Sequence, residues 1–323
     1  MIDKKAPNFF VIGVVKGGTT SLYHYLEQHP EVYMPPVKET NHFAVNDINH
    51  GKFLPEYAMD VRVDMDAYIA SGMKRKIHIA HVDEERHYIA LFQGVDQEIA
   101  KGEVSNSYMI CPSAAKAIHD FNPYAKNIVV LRNPISRVWS QYLMNLREAK
   151  SRQKDFINEI VADDQQKVKG WGVNHQYLEL GMYSKQLRPF IDHFGRENVL
   201  VLFYEDFRAN PELVMRRICD FLEVSNDFLF DFSTESNKAS MPRNSVLNTL
   251  LVKSGFIKAA KRITPKFLRG FFAKVLYQNK NVPRMSIQEK QWLVNYYIDE
   301  INNLIELIGE EPLIHWPEFK AVN

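Results

Sequence analysis

The feature that most constrains this chain is the stretch FFVIGVVKGGTTSLYHYL, residues 9–26, where an apolar run meets two glycines and then a helix-like pattern. A strand that passes through glycines into a helix is typical of α/β proteins that bind phosphate at the start of the helix. Gly17 and Gly18 let the backbone approach an anion closely, and Lys16 adds a positive charge. The stretch therefore predicts a phosphate-binding turn, with a simple helix cap after a strand as the alternative.

The order of residues in this turn differs from that of a nucleoside-triphosphate loop. From Gly13 it reads G-V-V-K-G-G-T-T, so Thr19 stands where the pattern G-x-x-x-x-G-K-[ST] has its lysine. Thr20 and Ser21 add further hydroxyl donors. A lysine inside the loop, at Lys16, favours a group on a short 5′-phosphate over a triphosphate tail.

Short apolar runs alternate with helix-period segments along the chain, which predicts a parallel sheet covered by helices on both faces. The predicted strands are 9–14, 98–104, 127–132 and 198–204, and the predicted helices lie near 19–29, 113–120, 134–149, 183–194, 210–223 and 288–309. We expect a P-loop-like three-layer α/β/α fold with a helical C-terminal part, forming one domain over residues 1–323. Ligands of such sheets bind at the carboxyl ends of the strands, where the turn after Val14 and the segment after Leu131 both fall.

Composition excludes several classes of protein. The net charge is +1, which gives no signature of nucleic-acid binding. Cys111 and Cys219 are the only cysteines, and no Asp-rich or His-rich metal pattern appears, so we expect reduced thiols and no metal. The chain shows no signal peptide and no apolar run of about 18 residues, so we expect a cytoplasmic protein.

A second phosphate site is predicted by NIVVLRNPISRVWSQYLMN, residues 127–145. The strand ends in Arg132, Asn133 and Pro134 start a helix, and Ser140 lies about two turns into it. Arg132 and Ser140 could converge on one phosphate through a charge-assisted contact and a hydroxyl donor. A surface ion pair for the arginine and an ordinary helix serine are the alternatives.

Taken together, the two motifs resemble sulfotransferases that use 3′-phosphoadenosine 5′-phosphosulfate (PAPS), in particular a soluble, bacterial-like member of the carbohydrate and heparan-sulfate branch. The resemblance extends from Asn8 to about Trp316. It implies that one set of residues holds the 5′-phosphate and the sulfonyl group: Lys16, Gly17, Gly18, Thr19, Thr20 and Ser21. It also implies that Arg132 and Ser140, eight positions apart, hold the 3′-phosphate.

Three further segments are similar to elements of that family. Tyr204, in FYEDFRANPE, matches a tyrosine that lines the adenine pocket, and Tyr183, in GMYSKQL, matches the G-x-Y element. A core tyrosine is the alternative for Tyr204. The segment SNKASMPRNS resembles a late loop that folds over the nucleotide, which makes Asn237, Lys238 and Arg243 candidate nucleotide contacts.

The resemblance also suggests the catalytic groups. Lys38 and Glu39, in YMPPVKETNHF, match a K-E pair in which the glutamate acts as general base on a sugar hydroxyl. Lys38 would position the base or the transferring group, and Lys16 would stabilise the leaving nucleotide. His42 is a competing base, although it comes one place later than the histidine of one branch. An exposed loop carboxylate is the alternative for Glu39.

The stretch GEVSNSY, at the end of the second predicted strand, resembles a family segment that ends on the acceptor side. It makes Glu103, Ser105 and Tyr108 candidate substrate contacts, and structural residues at a strand end are the alternative.

The C-terminal third is basic: eleven Lys or Arg and no Asp or Glu occur between Ser236 and Gln288. We expect a basic helical segment at about 246–284. Its part 253–284 could contact anionic lipid peripherally or attract an acidic glycan, with a solvated helical face as the alternative.

The sequence thus favours a PAPS-dependent sulfotransferase that acts on a hydroxyl of a carbohydrate or glycolipid and releases 3′-phosphoadenosine 5′-phosphate (PAP). A P-loop kinase of a small molecule, which would need magnesium and a triphosphate, is one alternative. A non-catalytic nucleotide-binding module is the other.

Overall fold

The computed structural model describes residues 4–48, 50–53, 55–151, 155–166, 176–233, 241–254, 256–257, 276–278 and 282–322. The strands are β1 (Phe9–Gly13), β2 (Val32–Tyr33), β3 (Val37–Glu39), β4 (Ile77–Ile79), β5 (Ala100–Val104), β6 (Lys126–Leu131), β7 (Val199–Phe203), β8 (Met241–Pro242) and β9 (Tyr277–Gln278). A central sheet has the order β2-β5-β1-β6-β7, and all of its pairings are parallel. The central parallel sheet predicted from the sequence is therefore confirmed.

Helices lie on both faces of this sheet. They are α1 (Thr19–Leu26), α2 (Pro55–Val61), α3 (Met65–Ala70), α4 (Glu85–Ala90), α5 (Ala114–Phe121), α6 (Pro134–Arg147), α7 (Phe156–Asp164), α8 (Tyr183–Phe194), α9 (Tyr204–Ala209), α10 (Pro211–Leu222), α11 (Ser245–Lys253), α12 (Ile287–Ile308) and α13 (Glu311–His315). None of the helices within the described ranges is long and apolar enough to cross a membrane.

The two-residue period of β1 divides the core into two layers. Phe9 and Val11 pack with residues of α1 and α10 on one face of the sheet. Phe10 and Ile12 point to the opposite face and pack with residues of α5, α8 and α12. A strand that is buried on both faces has no polar side, which is why the sequence shows a continuous apolar run before the glycine turn.

The C-terminal helix is part of this core. α12 begins with a capping box formed by Ser286 and Glu289 and ends before Gly309, whose φ of 91° is typical of a glycine at a helix C-terminus. Its buried Glu300 accepts hydrogen bonds from the backbone N–H and the hydroxyl of Ser184 at the start of α8. α12 thereby fixes α8 against the sheet.

A second, two-stranded parallel sheet was not predicted from the sequence. It pairs β3 with β4, with Glu39 opposite Ile79. The pairing is extended by two backbone hydrogen bonds, from Ala80 N–H to the Glu39 carbonyl and from Val82 N–H to the Thr40 carbonyl. These bonds hold the segment that carries Lys38 and Glu39.

Most of the basic segment 246–284, including the greater part of 253–284, lies outside the described residues. Its contact with lipid or with an acidic glycan therefore stays a prediction. Asn237 and Lys238 also lie outside the described ranges.

Candidate active site

The glycine turn connects β1 to α1 in a conformation that needs its glycines. Gly18 has a φ of 90°, and Lys16 has a φ of 68°, in the left-handed region that residues with a side chain rarely adopt. A Cβ at Gly17 would lie 2.5 Å from the Val130 carbonyl oxygen on β6. The turn is therefore held close against the sheet, and only glycine fits at position 17.

The turn presents backbone donors to an anion. The N–H of Gly17 bonds to the Val14 carbonyl, but the N–H groups of Lys16, Gly18, Thr19 and Thr20 have no acceptor among the described residues. Free N–H groups at a glycine turn and at the start of a helix bind phosphate well. The geometry therefore fits the predicted cradle.

The side chain of Lys16 is half-buried and points toward α6, with Nζ 3.6 Å from Sδ of Met144. Burial, together with the nearby charges of Arg147 and Arg132, lowers the pKa of Lys16 to about 8. Lys16, Arg132 and Arg147 are close together, and few acidic side chains balance their charge. Such a cluster is suited to binding an anion, because the negative charge of the anion would raise the pKa of Lys16 again.

Arg132 connects the second motif to the glycine turn. Its Nη1 donates to the Lys16 carbonyl at 2.9 Å, and its guanidinium lies 4.5 Å from the centre of the Tyr204 ring. The Tyr204 ring also lies beside Gly18, at 3.1 Å from the position of a Cβ there. The structure thus brings together Lys16, Gly18, Arg132 and Tyr204, which the sequence placed in one nucleotide site.

Ser140 lies on the face of α6 that is directed toward Lys16 and Arg132. Ser136, Ser140 and Met144 are four residues apart, so they share one side of the helix. Ser136 Oγ accepts a hydrogen bond from Arg132 Nε at 3.2 Å, and Met144 contacts Lys16. Ser140 lies between these two contacts, which agrees with a phosphate held between Arg132 and Ser140.

Tyr183 occupies a different position from the one expected of a nucleotide contact. Its side chain is fully buried, and its hydroxyl donates to the Arg132 carbonyl at 2.7 Å. It therefore supports the backbone of Arg132 from within the core, and its prediction as a nucleotide contact is corrected. Arg243 is exposed, and its backbone N–H donates to the Leu276 carbonyl beside the β8–β9 pair.

Lys38 and Glu39 form a buried ion pair through Nζ and Oε1. Asn106 Nδ2 donates to the same Glu39 oxygen at 3.1 Å, and His78 Nε2 lies 4.0 Å from it. The alternative of an exposed loop carboxylate is therefore wrong. Asn106 and His78 were not identified from the sequence, although Asn106 stands inside the stretch GEVSNSY.

Glu39 lies in a small cleft that also reaches the glycine turn. Val15, the residue before Lys16, is one of its walls, and Tyr57 is another. The remaining lining residues are Asn41, Ile79, Asn106, Ser107, Ile110, Gln176 and Leu180. The cleft therefore places the candidate base beside the loop that would hold the transferring group.

Glu103, Ser105 and Tyr108 do not line this cleft, because all three are completely buried beneath it. Ser105 Oγ accepts from the Asn41 N–H at 3.1 Å, and both Thr40 and Tyr108 donate from their hydroxyls to the Glu103 carboxylate. Burial raises the pKa of Glu103 to about 7. The predicted substrate contact is corrected: these residues support the Thr40–Asn41 backbone instead.

His42 is also turned away from the cleft. Its ring stacks on Tyr88 with centroids 4.3 Å apart, and Nδ1–H donates to the Val82 carbonyl at 2.6 Å. Burial lowers the pKa of His42. These contacts favour a structural role for His42 over its prediction as a competing base.

The fold and the site together define the class of protein: the chain belongs to the sulfotransferase family, whose sequence profile matches residues 7–227. The crystal structure of a sulfotransferase from Alicyclobacillus acidocaldarius superimposes with a TM-score of 0.68 and 27% identity, over 95% of this chain and 97% of that one. This similarity confirms the α/β fold class.

The chain is also similar to curated carbohydrate sulfotransferases. Carbohydrate sulfotransferase 15 of Mus musculus is 25% identical in an alignment of 304 positions that covers 82% of this chain and 51% of the relative. Heparan sulfate glucosamine 3-O-sulfotransferase 3B1 of Mus musculus is 24% identical in an alignment of 225 positions that covers 68% of this chain and 47% of the relative. This chain therefore spans about half the length of the curated relatives that it matches.

Proposed function

We propose that this protein transfers a sulfonyl group from PAPS to a hydroxyl of a carbohydrate or glycolipid acceptor. The observation that carries the proposal is the shared cleft, because Val15 of the glycine turn and the Glu39 carboxylate line the same space. A donor loop and a base that meet in one cleft are what a direct, in-line transfer needs.

On the donor side, the turn and Arg132 supply binding and charge stabilisation. The free N–H groups of Gly18, Thr19 and Thr20 would hold the 5′-phosphate, and Arg132 with Ser140 would hold the 3′-phosphate. The Tyr204 ring would lie against the adenosine. The Lys16 ammonium group would stabilise the negative charge that develops on the bridging oxygen as the sulfur–oxygen bond breaks.

On the acceptor side, Glu39 would take the proton from the attacking hydroxyl, as a new bond forms between that oxygen and sulfur. The electron pair of the broken bond goes to the 5′-phosphate of the departing PAP. Lys38 and Asn106 both bind Oε1 of Glu39, so they orient the carboxylate and leave Oε2 to face the acceptor.

The names of the relatives support a carbohydrate acceptor, since they describe a carbohydrate sulfotransferase and a heparan sulfate sulfotransferase. The test is transfer of radioactive sulfate from labelled PAPS to a panel of heparan sulfate, chondroitin, a neutral glycan and a glycolipid. We expect label in at least one member. If PAP binds tightly but no member is labelled, the non-catalytic alternative is favoured.

The pH dependence of PAP binding provides a test of Lys16. Its charged form should bind the anion, so affinity should be full below pH 8 and decline as the pH rises through 8, with a Kd about 10-fold higher at pH 9 than at pH 7. The phosphates of PAP are already ionised in this range, since their second pKa is about 6. Calorimetry across this range measures the effect, and Lys16→Arg should flatten it because Arg stays charged.

Substitution of Gly17 tests the close approach of the turn to the sheet. In Gly17→Ala the new Cβ meets the Val130 carbonyl oxygen, a backbone atom of β6 that cannot rotate away, so the turn must shift. We expect PAP affinity to fall by at least about 10-fold. Gly94→Ala is the control, since its Cβ approaches only the hydroxyl end of the Tyr33 side chain. Equal losses in both variants would contradict the prediction.

A further inference from the structure

Beside the acceptor cleft, three side chains from two segments converge. His50 begins a short 3-10 turn, and His81 and Asp83 follow β4. Their potential ligand atoms all lie within 4.8 Å of one another. The two imidazole rings are 5.3 Å apart, and His50 Nε2 lies 3.9 Å from Asp83 Oδ2.

The nitrogen Nδ1 of His81 is the unusual feature of this cluster. It is buried and has no hydrogen-bond partner in the described part of the chain, while Nε2 lies 3.2 Å from the Tyr57 hydroxyl. A buried polar atom without a partner is costly, and natural structures contain few of them.

We propose that His50, His81 and Asp83 bind one divalent transition-metal ion of the zinc class. Two imidazoles and one carboxylate are a donor set that zinc and its neighbours prefer, with one coordination position left open. Coordination through Nδ1 of His81 would satisfy the unpaired nitrogen. The opposite Nε2–H would then donate to Tyr57, the outer hydrogen bond that metal-bound histidines usually make.

An ion at this position would fix one wall of the acceptor cleft. Tyr57 lines the cleft together with Glu39, and the segment that carries His81 is bonded to the backbone of Glu39 and Thr40. The ion would therefore position the base and the acceptor wall without taking part in the transfer. A plain ion pair between His50 and Asp83 explains two of the three residues, but it leaves Nδ1 of His81 without a partner.

A second cluster of similar size consists of Asp206, Glu311 and His315. There the His315 ring stacks on Phe203 with centroids 4.4 Å apart, and Nε2 already lies 3.4 Å from Asp206. Its nitrogens show no comparable unpaired, buried atom in the described structure, so we place the ion at the first cluster.

The test is a titration of the full chain with zinc chloride in competition with a chromophoric chelator. We expect one site in the wild type, weakened by at least about 100-fold in His81→Ala, because a lost ligand costs more than the 10- to 100-fold typical of an outer-shell change. His50→Ala should weaken it as well. The control is His119→Ala with His193→Ala, a surface pair with its rings 5.4 Å apart, which should bind zinc like the wild type.

The outcomes separate this site from the nucleotide site. PAP titrations of the same samples show whether each variant is folded and whether its donor site is intact. We expect His81→Ala to bind PAP with the affinity of the wild type. Saturating zinc should raise the Tm of the wild type and leave that of His81→Ala unchanged. No zinc site, equal affinity in His81→Ala and the wild type, or loss of the site only in Asp206→Asn would each overturn the proposal.

Discussion

Glu39→Gln should reduce kcat for sulfuryl transfer by about 10²- to 10⁴-fold, the usual contribution of a general base. The amide keeps the size and the hydrogen-bonding reach of the side chain but cannot take the acceptor proton. PAP affinity should stay within about twofold of the wild type, since the base does not touch the nucleotide. A radioactive transfer assay and PAP calorimetry measure the two quantities separately.

Two controls are needed for this variant. Glu39→Gln leaves the buried Lys38 ammonium group without its partner, which destabilises the fold. The double variant Lys38→Met with Glu39→Gln removes both charges. It therefore tests whether lost stability explains the lost activity. Glu212→Gln, an exposed carboxylate on α10 paired with Arg216, should leave transfer unchanged. Retention of more than a tenth of kcat in Glu39→Gln, or a larger loss in His42→Ala, would contradict the assignment of the base.

Lys16→Met should weaken PAP binding by about 10- to 100-fold, which corresponds to the 1.5–3 kcal/mol of a hydrogen bond to a charged group. It should lower transfer further, by about 10²- to 10³-fold, because the ammonium charge acts most strongly on the developing negative charge of the leaving group. The methionine keeps the length of the side chain beside Met144, so packing changes little. Calorimetry and the transfer assay again separate the two effects.

The matched control for this loss of charge is Lys116→Met. Lys116 is exposed on α5, paired with Asp120, and distant from the glycine turn in the sequence, so both PAP affinity and transfer should be unchanged. A Lys16→Met variant that loses affinity but transfers at the normal rate when saturated with PAPS would show that the lysine binds the donor without acting on the leaving group.

Much of the fold follows directly from the sequence. Four of the five strands of the central sheet were predicted, and their observed ends lie within two residues of those predicted. The two-residue strand β2 was not predicted. The small β3–β4 sheet was missed because strands of three residues carry no usable period. The partner strand of β3, Ile77–Ile79, lies 40 residues after Val37, and no local sequence pattern predicts that the two strands pair.

The candidate donor site could be predicted because its residues lie in two compact motifs with fixed spacing. The contact that unites them, from Arg132 to the Lys16 carbonyl, spans 116 residues and appears only in the fold. Asn106 and His78 were missed for the same reason, since each reaches Glu39 from another strand or loop. Glu103 was misassigned because its role was taken from the resemblance of GEVSNSY to a family segment, whereas β5 lies inside the sheet and is buried on both faces.

The sulfotransferase assignment can be tested by calorimetric titration of PAP, without metal, into the wild type and Arg132→Ala, with ATP and magnesium in parallel. We expect micromolar PAP binding that is lost in Arg132→Ala, and no comparable binding of ATP. Binding of ATP with magnesium in place of PAP would contradict it, because the glycine turn would then hold a triphosphate and the sulfotransferase assignment of the donor site would fail.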